Sequence, residues 1–187
     1  MTESTHKWLI SLTVAALTIA ILFFHGGHWF RFDRGDIFHG QIWRILTANF
    51  TEGNGRQLVV DLAGLMIWTL LAAYLETART YVILLLGTGL AIGLALLWFD
   101  PRIGGYIGLS GILHGLFAAS AIRLISRREW LGGLSLLTAV ALKIYCEQHL
   151  GDLALARLLD VPTVLAPHLY GAVAGAAIAL ALLLFRR

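Results

Sequence analysis

The chain has 187 residues, of which 58% are hydrophobic and 13% charged, and its mean hydropathy is +0.78. This composition excludes an ordinary water-soluble domain and marks an integral membrane protein. The formal net charge of +3 does not make a nucleic-acid binder, because the basic residues are scattered between apolar runs, and the single cysteine, Cys146, excludes an internal disulfide framework.

Trp8 to Phe24 is the first predicted span, uncharged and near the short end of the length that crosses the hydrocarbon core. The residues that follow, His25-Gly26-Gly27-His28, lack a small-x-small cleavage pattern, so the segment reads as a retained helix and not a removed signal peptide. Residues 25–57 interleave Trp29, Phe30, Phe32, Phe38, Trp43 and Phe50 with Arg31, Arg34, Arg44 and Arg56. Such a mixture suits the headgroup layer, where an aromatic or arginine side chain meets both apolar and wet surroundings.

The second span is predicted over Leu58 to Leu75, with Gln57 just before it and Asp61 near its start, four apart and hence on one helix face. An acid inside a span faces the protein interior by default. A third span covers Tyr81 to Phe99 and ends in the Asp100-Pro101 turn, and a fourth covers Ile107 to Ile125. Trp130 to Leu150 forms the fifth, where Lys143 and Glu147 stand one turn apart and are expected to make a buried structural ion pair. The sixth runs from about Thr163 to Phe185. No internal repeat interrupts the chain, so residues 1–187 are expected to form one all-α domain of six transmembrane helices.

Six spans put both termini on one side of the bilayer. Lys7, Arg79, Arg123, Arg127, Arg128, Arg186 and Arg187 fall on the terminal side, against Arg102 and Arg157 opposite, so the positive-inside rule places both termini in the cytoplasm. The arginines of the long first loop oppose this count, and aromatic anchoring is the expected reason for their presence there.

Spans four and six then enter from the outer face, and each carries a reactive side chain near its start. In Gly108-Leu109-Ser110-Gly111-Ile112-Leu113-His114-Gly115, a serine lies between glycines that leave room for a backbone or substrate to approach. The plainer use of those small residues is tight helix packing. His168 follows Pro167, a residue comfortable only in a first helical turn, and a helix N-terminus disfavours imidazolium, leaving His168 able to accept a proton. Gly171 and Gly175 make a G-x-x-x-G pattern that admits a close neighbour. Ser110 as nucleophile, His168 as base and free N–H groups at the start of span four would together permit acyl transfer. No residues stand at metal-ligand spacing along the chain.

These residues resemble the rhomboid family of intramembrane serine proteases, and within it the rhombosortase branch. The resemblance rests on Gln41-Ile42-Trp43-Arg44, on Gly108 through Gly115, on Lys143 through Glu147-Gln148, and on His168-Leu169-Tyr170-Gly171 with Gly175. It implies a six-helix rhomboid fold, a Ser110/His168 dyad, structural roles for Trp43 and Arg44, no cofactor and no metal. It also implies a bacterial inner-membrane protein with its site toward the periplasm. The implied substrates are of the GlyGly-CTERM kind, membrane-anchored proteins with a C-terminal Gly-Gly, an apolar helix and a basic tail.

Three positions depart from the family pattern. Gln57 and Asp61 stand where a histidine and an asparagine usually support the oxyanion. The Gln57 amide can donate, whereas Asp61 is expected to be protonated or neutralised by a basic partner, unless both are merely polar helix-end residues. His114 replaces a usual tyrosine one turn past Ser110, where it can orient or stack on His168 or itself serve as the base. Pro167 replaces a usual alanine. Two further classes compete with the protease reading. One is a weak or inactive rhomboid relative that binds transmembrane segments, and the other is a small transporter, for which Lys143 and Glu147 are too few charges.

Overall fold

A computed structural model describes residues 2–150 and 164–185. Thr163, Arg157, Arg186 and Arg187, which entered the span and charge assignments, lie outside the described residues. The long helices are α1 (Glu3–Phe23), α5 (Gly55–Leu75), α6 (Ala78–Phe99), α7 (Ser110–Ser126), α8 (Trp130–Leu150) and α9 (Ala166–Leu184). Between α1 and α5 come the short helices α2 (Gly27–Phe30), α3 (Arg34–Phe38) and α4 (Arg44–Thr47) and a 3-10 turn at Ala48–Phe50. All the long helices except α7 are long and apolar enough to cross a membrane; α7 has 17 residues.

The reason α7 is short is local. The fourth span was expected from Ile107, but Gly105–Tyr106 is extended and pairs antiparallel with Phe32–Asp33. Gly108 then turns at φ +132, a conformation that glycine alone adopts freely, and the helix starts at Ser110. The nucleophile candidate therefore sits at a helix mouth inside the bundle. Most of α7 is buried, with Ile112 and Leu116 fully enclosed among Leu65, Trp68, Leu84, Ile92 and Leu96 of α5 and α6.

Alpha-helix α9 lies against α7 nearly backbone to backbone. A Cβ added to Gly171 would stand 2.0 Å from the Gly111 carbonyl oxygen, and one added to Gly175 would stand 2.0 Å from that of Gly115. The glycine pairs thus do on both helices what the G-x-x-x-G pattern predicts for one. Gly175→Ala is expected to destabilise the fold by about 1–3 kcal/mol, the usual cost of overpacking. Thermal unfolding in detergent checks this, with Gly132→Ala as a control expected to be silent, because its Cβ meets only Leu124 at 3.8 Å.

The first loop is ordered by its arginines. Arg44 is buried and donates to the carbonyls of His28 and Arg31 and to Gln41 Oε1, while pairing with Asp36 at 2.9 Å. Arg34 caps the end of α6 through the carbonyls of Leu96, Leu97 and Asp100. Two of the arginines that oppose the charge count are therefore engaged by backbone carbonyls, a reason beyond aromatic anchoring. Trp43 is half exposed and donates to the Trp29 carbonyl, consistent with an interfacial position. At the opposite end of the bundle, Lys7 and Arg127 cap the end of α5 through the carbonyls of Ala72, Ala73, Glu76, Tyr74 and Leu75. Cations are favoured there by the partial negative charge of a helix C-terminus.

Candidate active site

The starts of α7 and α9 meet at one depth. Ser110 Oγ lies 2.9 Å from His168 Nε2, and His168 Nδ1 lies 2.7 Å from Glu147 Oε2. An ionised carboxylate accepts only, so Nδ1 carries the ring hydrogen and donates to Glu147. Nε2 is then the acceptor for the Ser110 hydroxyl. Pro167 falls in the first turn of α9, as its chemistry requires, and leaves His168 buried and aimed at the serine.

The ion pair expected between Lys143 and Glu147 is present, through Glu147 Oε1. Glu147 has a second partner as well, because its other oxygen accepts from His168 Nδ1. The i,i+4 spacing reveals the first contact but carries no sign of the second, which depends on how α8 lies against α9.

His114 stacks on His168 with ring centroids 4.2 Å apart and planes 15° from parallel. Its Nδ1 donates to the Ser110 carbonyl at 2.7 Å, so Nε2 is an acceptor, without a hydrogen-bond partner among the described residues. The ring that Ser110 reaches is His168, and His114 braces it. Ring stacking is worth about 0.5–1.5 kcal/mol, so His114→Ala is expected to lower kcat about three- to tenfold and His114→Tyr to restore most of it. His168→Ala, by contrast, is expected to leave no measurable turnover.

Gly108 and Gln57 lie beside Ser110, while Gly111 packs against Pro167 of α9. Gln57 Oε1 accepts from the Gly53 N–H at 3.0 Å, and its Nε2 would lie 2.7 Å from a Cβ at Gly108. The amide NH₂ therefore faces the turn that carries Ser110. At the start of α7 the Leu109 N–H is held by Glu52 Oε1 at 3.1 Å. Tyr106 donates to the Gly108 carbonyl at 2.6 Å.

Asp61 is buried as expected, yet its immediate partner is not basic. It is Glu52, buried as well and near enough for the two carboxyls to act on each other electrostatically. Burial first, and then the charge of Asp61, pushes the Glu52 carboxyl well above the usual carboxylate range. Burial also raises the Tyr106 phenol, and both acids add to the effect. Glu52 was not among the candidate residues. It precedes the Gly53-Asn54-Gly55 turn, so no helical spacing relates it to Asp61.

The donor atoms of His114, Glu147 and His168 lie within 4.8 Å of one another, a grouping that chain spacing did not reveal. Both nitrogens of His168 and both oxygens of Glu147 are already engaged. Next to the site an apolar cavity of about 450 Å³ opens between α8 and α9, lined by Val140, Ile144, Leu169 and Val173 and reaching Gln148.

The chain is thus a multi-pass membrane protein in which a serine hydroxyl, a histidine and a carboxylate stand within hydrogen-bond reach in sequence. Residues 39–185 match the Rhomboid domain, and the chain belongs to the rhomboid family, the intramembrane serine proteases. Among curated proteins, none matches the chain.

Proposed function

We propose that this protein is an intramembrane serine endopeptidase of the rhombosortase branch. It cuts GlyGly-CTERM-type proteins beside the apolar anchor. The observation that carries this reading is the relay Ser110 Oγ, His168, Glu147, with links of 2.9 and 2.7 Å between side chains brought from three helices. His168 takes the hydroxyl proton as Ser110 attacks the scissile carbonyl, and later returns it to the leaving amine. Glu147 holds the imidazole in the tautomer that can accept, and stabilises the imidazolium as it forms. The Gln57 amide offers a donor to the oxyanion.

Six crossings, with both termini cytoplasmic and the site toward the periplasm of a bacterial inner membrane, fit the cation-capped end of α5 on the terminal side. The apolar cavity between α8 and α9 suits a helical substrate segment. The intact relay disfavours a relative that only binds transmembrane segments.

The test is incubation of the purified protein with a Gly-Gly-tailed membrane substrate, beside its Ser110→Ala form. Cleavage next to the glycine pair by the unaltered protein alone is the expected result. Equal processing by both forms would remove Ser110 from the reaction. Mass spectrometry of the new C-terminus then separates release to water from transfer to an amine acceptor.

A further inference from the structure

His114 Nε2 is a buried acceptor that nothing fills. The residue is 8% exposed, and its Nδ1 hydrogen goes to the Ser110 carbonyl, so the lone pair at Nε2 is left bare, with no donor among the described residues. Such a group is costly in a protein interior and points to something that completes it. Ligand atoms of His168 and Glu147, both buried as well, stand within 4.8 Å. Two imidazoles and a glutamate are a donor set that zinc takes with three protein ligands, leaving a fourth position for water.

The distances are within reach of side-chain movement. Zinc bonds of about 2.0–2.2 Å put tetrahedral ligands about 3.3–3.5 Å apart. His168 Nδ1 and Glu147 Oε2, now 2.7 Å apart across a hydrogen, would have to part by under about 1 Å to admit an ion in its place. The widest separation in the group would have to close by no more than about 1.5 Å. The three ligands come from α7, α8 and α9, so the set exists only in the folded bundle.

We infer that His114, His168 and Glu147 form an inhibitory zinc site, occupied through His114 Nε2, His168 Nδ1 and Glu147 Oε2. Glu147 lies at Nδ1, so an ion held by both residues has to use that nitrogen. Coordination takes the Nδ1 lone pair. The hydrogen on Nδ1 leaves to solvent and one returns at Nε2, so the ring stays neutral and no net proton is released. His168 then presents an N–H to Ser110, and the hydroxyl accepts in the contact where it had donated. A base without a free lone pair cannot take the hydroxyl proton, and turnover stops until the ion leaves. Zinc is an inhibitor here and takes no part in the reaction. Glu147 Oε1 stays with Lys143, whose side chain is 43% exposed, so the site is not sealed from the surface. The inhibition rests on the protease reading; the zinc site does not.

Calorimetric titration of zinc into the untagged, chelator-treated full-length protein in detergent tests the site. One-to-one binding is expected, weakened more than about 100-fold in His114→Ala, beyond the roughly 10- to 100-fold that loss of a merely supporting contact costs. His149→Ala removes an exposed histidine of α8 and should bind as the unaltered protein does. Saturating zinc should also raise the thermal midpoint of the unaltered protein and leave that of His114→Tyr in place, so a variant that merely misfolds is recognised by its missing transition. The inhibition is read from fluorophosphonate labelling of Ser110. Zinc should slow it about 100-fold, the least that a lost general base costs, and a chelator should restore it. His114→Tyr, which keeps His168 and most of the turnover, should label at one rate with zinc or without. No saturable binding, or unchanged affinity in His114→Ala, overturns the site. Zinc bound there with labelling unslowed overturns the inhibition. Zinc bound as expected in a protein that neither labels nor cleaves contradicts the protease reading and leaves the metal site standing.

Discussion

Replacing Ser110 by alanine should abolish cleavage, with kcat falling by a factor on the order of 10⁴ to 10⁶ while the fold and substrate binding persist. Members of a nucleophile–base–carboxylate relay act as a unit, and loss of the nucleophile alone removes nearly all that the whole relay supplies. Ser110 is half-buried at the first residue of α7, and its hydroxyl makes one side-chain contact, to His168. Its loss creates no large cavity, so the thermal midpoint should move little. Assay of the purified variant against a Gly-Gly substrate, with unfolding measured on the same sample, checks both halves. Ser110→Ala/His168→Ala should be no slower than either single variant. A further loss in the double variant would mean that the two side chains act separately.

The second large effect is expected at Glu147. In Glu147→Gln an amide NH₂ can be presented to His168 Nδ1, favouring the tautomer whose Nε2 carries the hydrogen and so cannot accept from Ser110. The expected fall in kcat is on the order of 10³ to 10⁴, the magnitude seen when such a carboxylate becomes an amide. KM should change much less, because Glu147 makes its contribution as the imidazolium forms. Glu147→Asp keeps the charge on a shorter arm and should recover part of the rate. Lys143→Met distinguishes the two contacts of Glu147. Lys143 is partly exposed and bound to the other oxygen, so its removal should cost far less than that of Glu147. Equal losses in Lys143→Met and Glu147→Gln would return Glu147 to a structural ion pair.

The long helices were legible because each is an apolar run bounded by charge or a turn, and their starts moved by only a few residues. Ala78 and Gly55 begin their helices earlier than the hydropathy implies, since Thr77 and Asn54 cap them with side-chain oxygens. Ile107 was misplaced for the opposite reason. An apolar residue beside Gly108 reads as helix by hydropathy, whereas the strand pair with Phe32–Asp33 holds Gly105–Tyr106 extended and the positive φ of Gly108 delays the helix to Ser110.

At the site, the pairing of Ser110 with His168 was legible because alternating spans bring their starts to one face, a consequence of topology alone. The stacking of His114 followed from helical spacing in the same way. What stayed hidden depends on rotation between helices. Glu147 shares α8 with Lys143, so the spacing displays their ion pair, but its second oxygen reaches His168 only through the way α8 sits against α9. Glu52 was more deeply hidden. An acid in a glycine-containing turn resembles a solvated loop residue, and only its burial against Asp61 and Leu109 sets it apart.

Active-site labelling with a fluorophosphonate, read by peptide mass spectrometry, tests the central relationship without any assumption about substrate. A covalent adduct on Ser110 is expected in the unaltered protein, greatly slowed in Glu147→Gln and absent in His168→Ala. An adduct on another residue, or labelling of Ser110 at the same rate without His168, would contradict an activated serine at the start of α7.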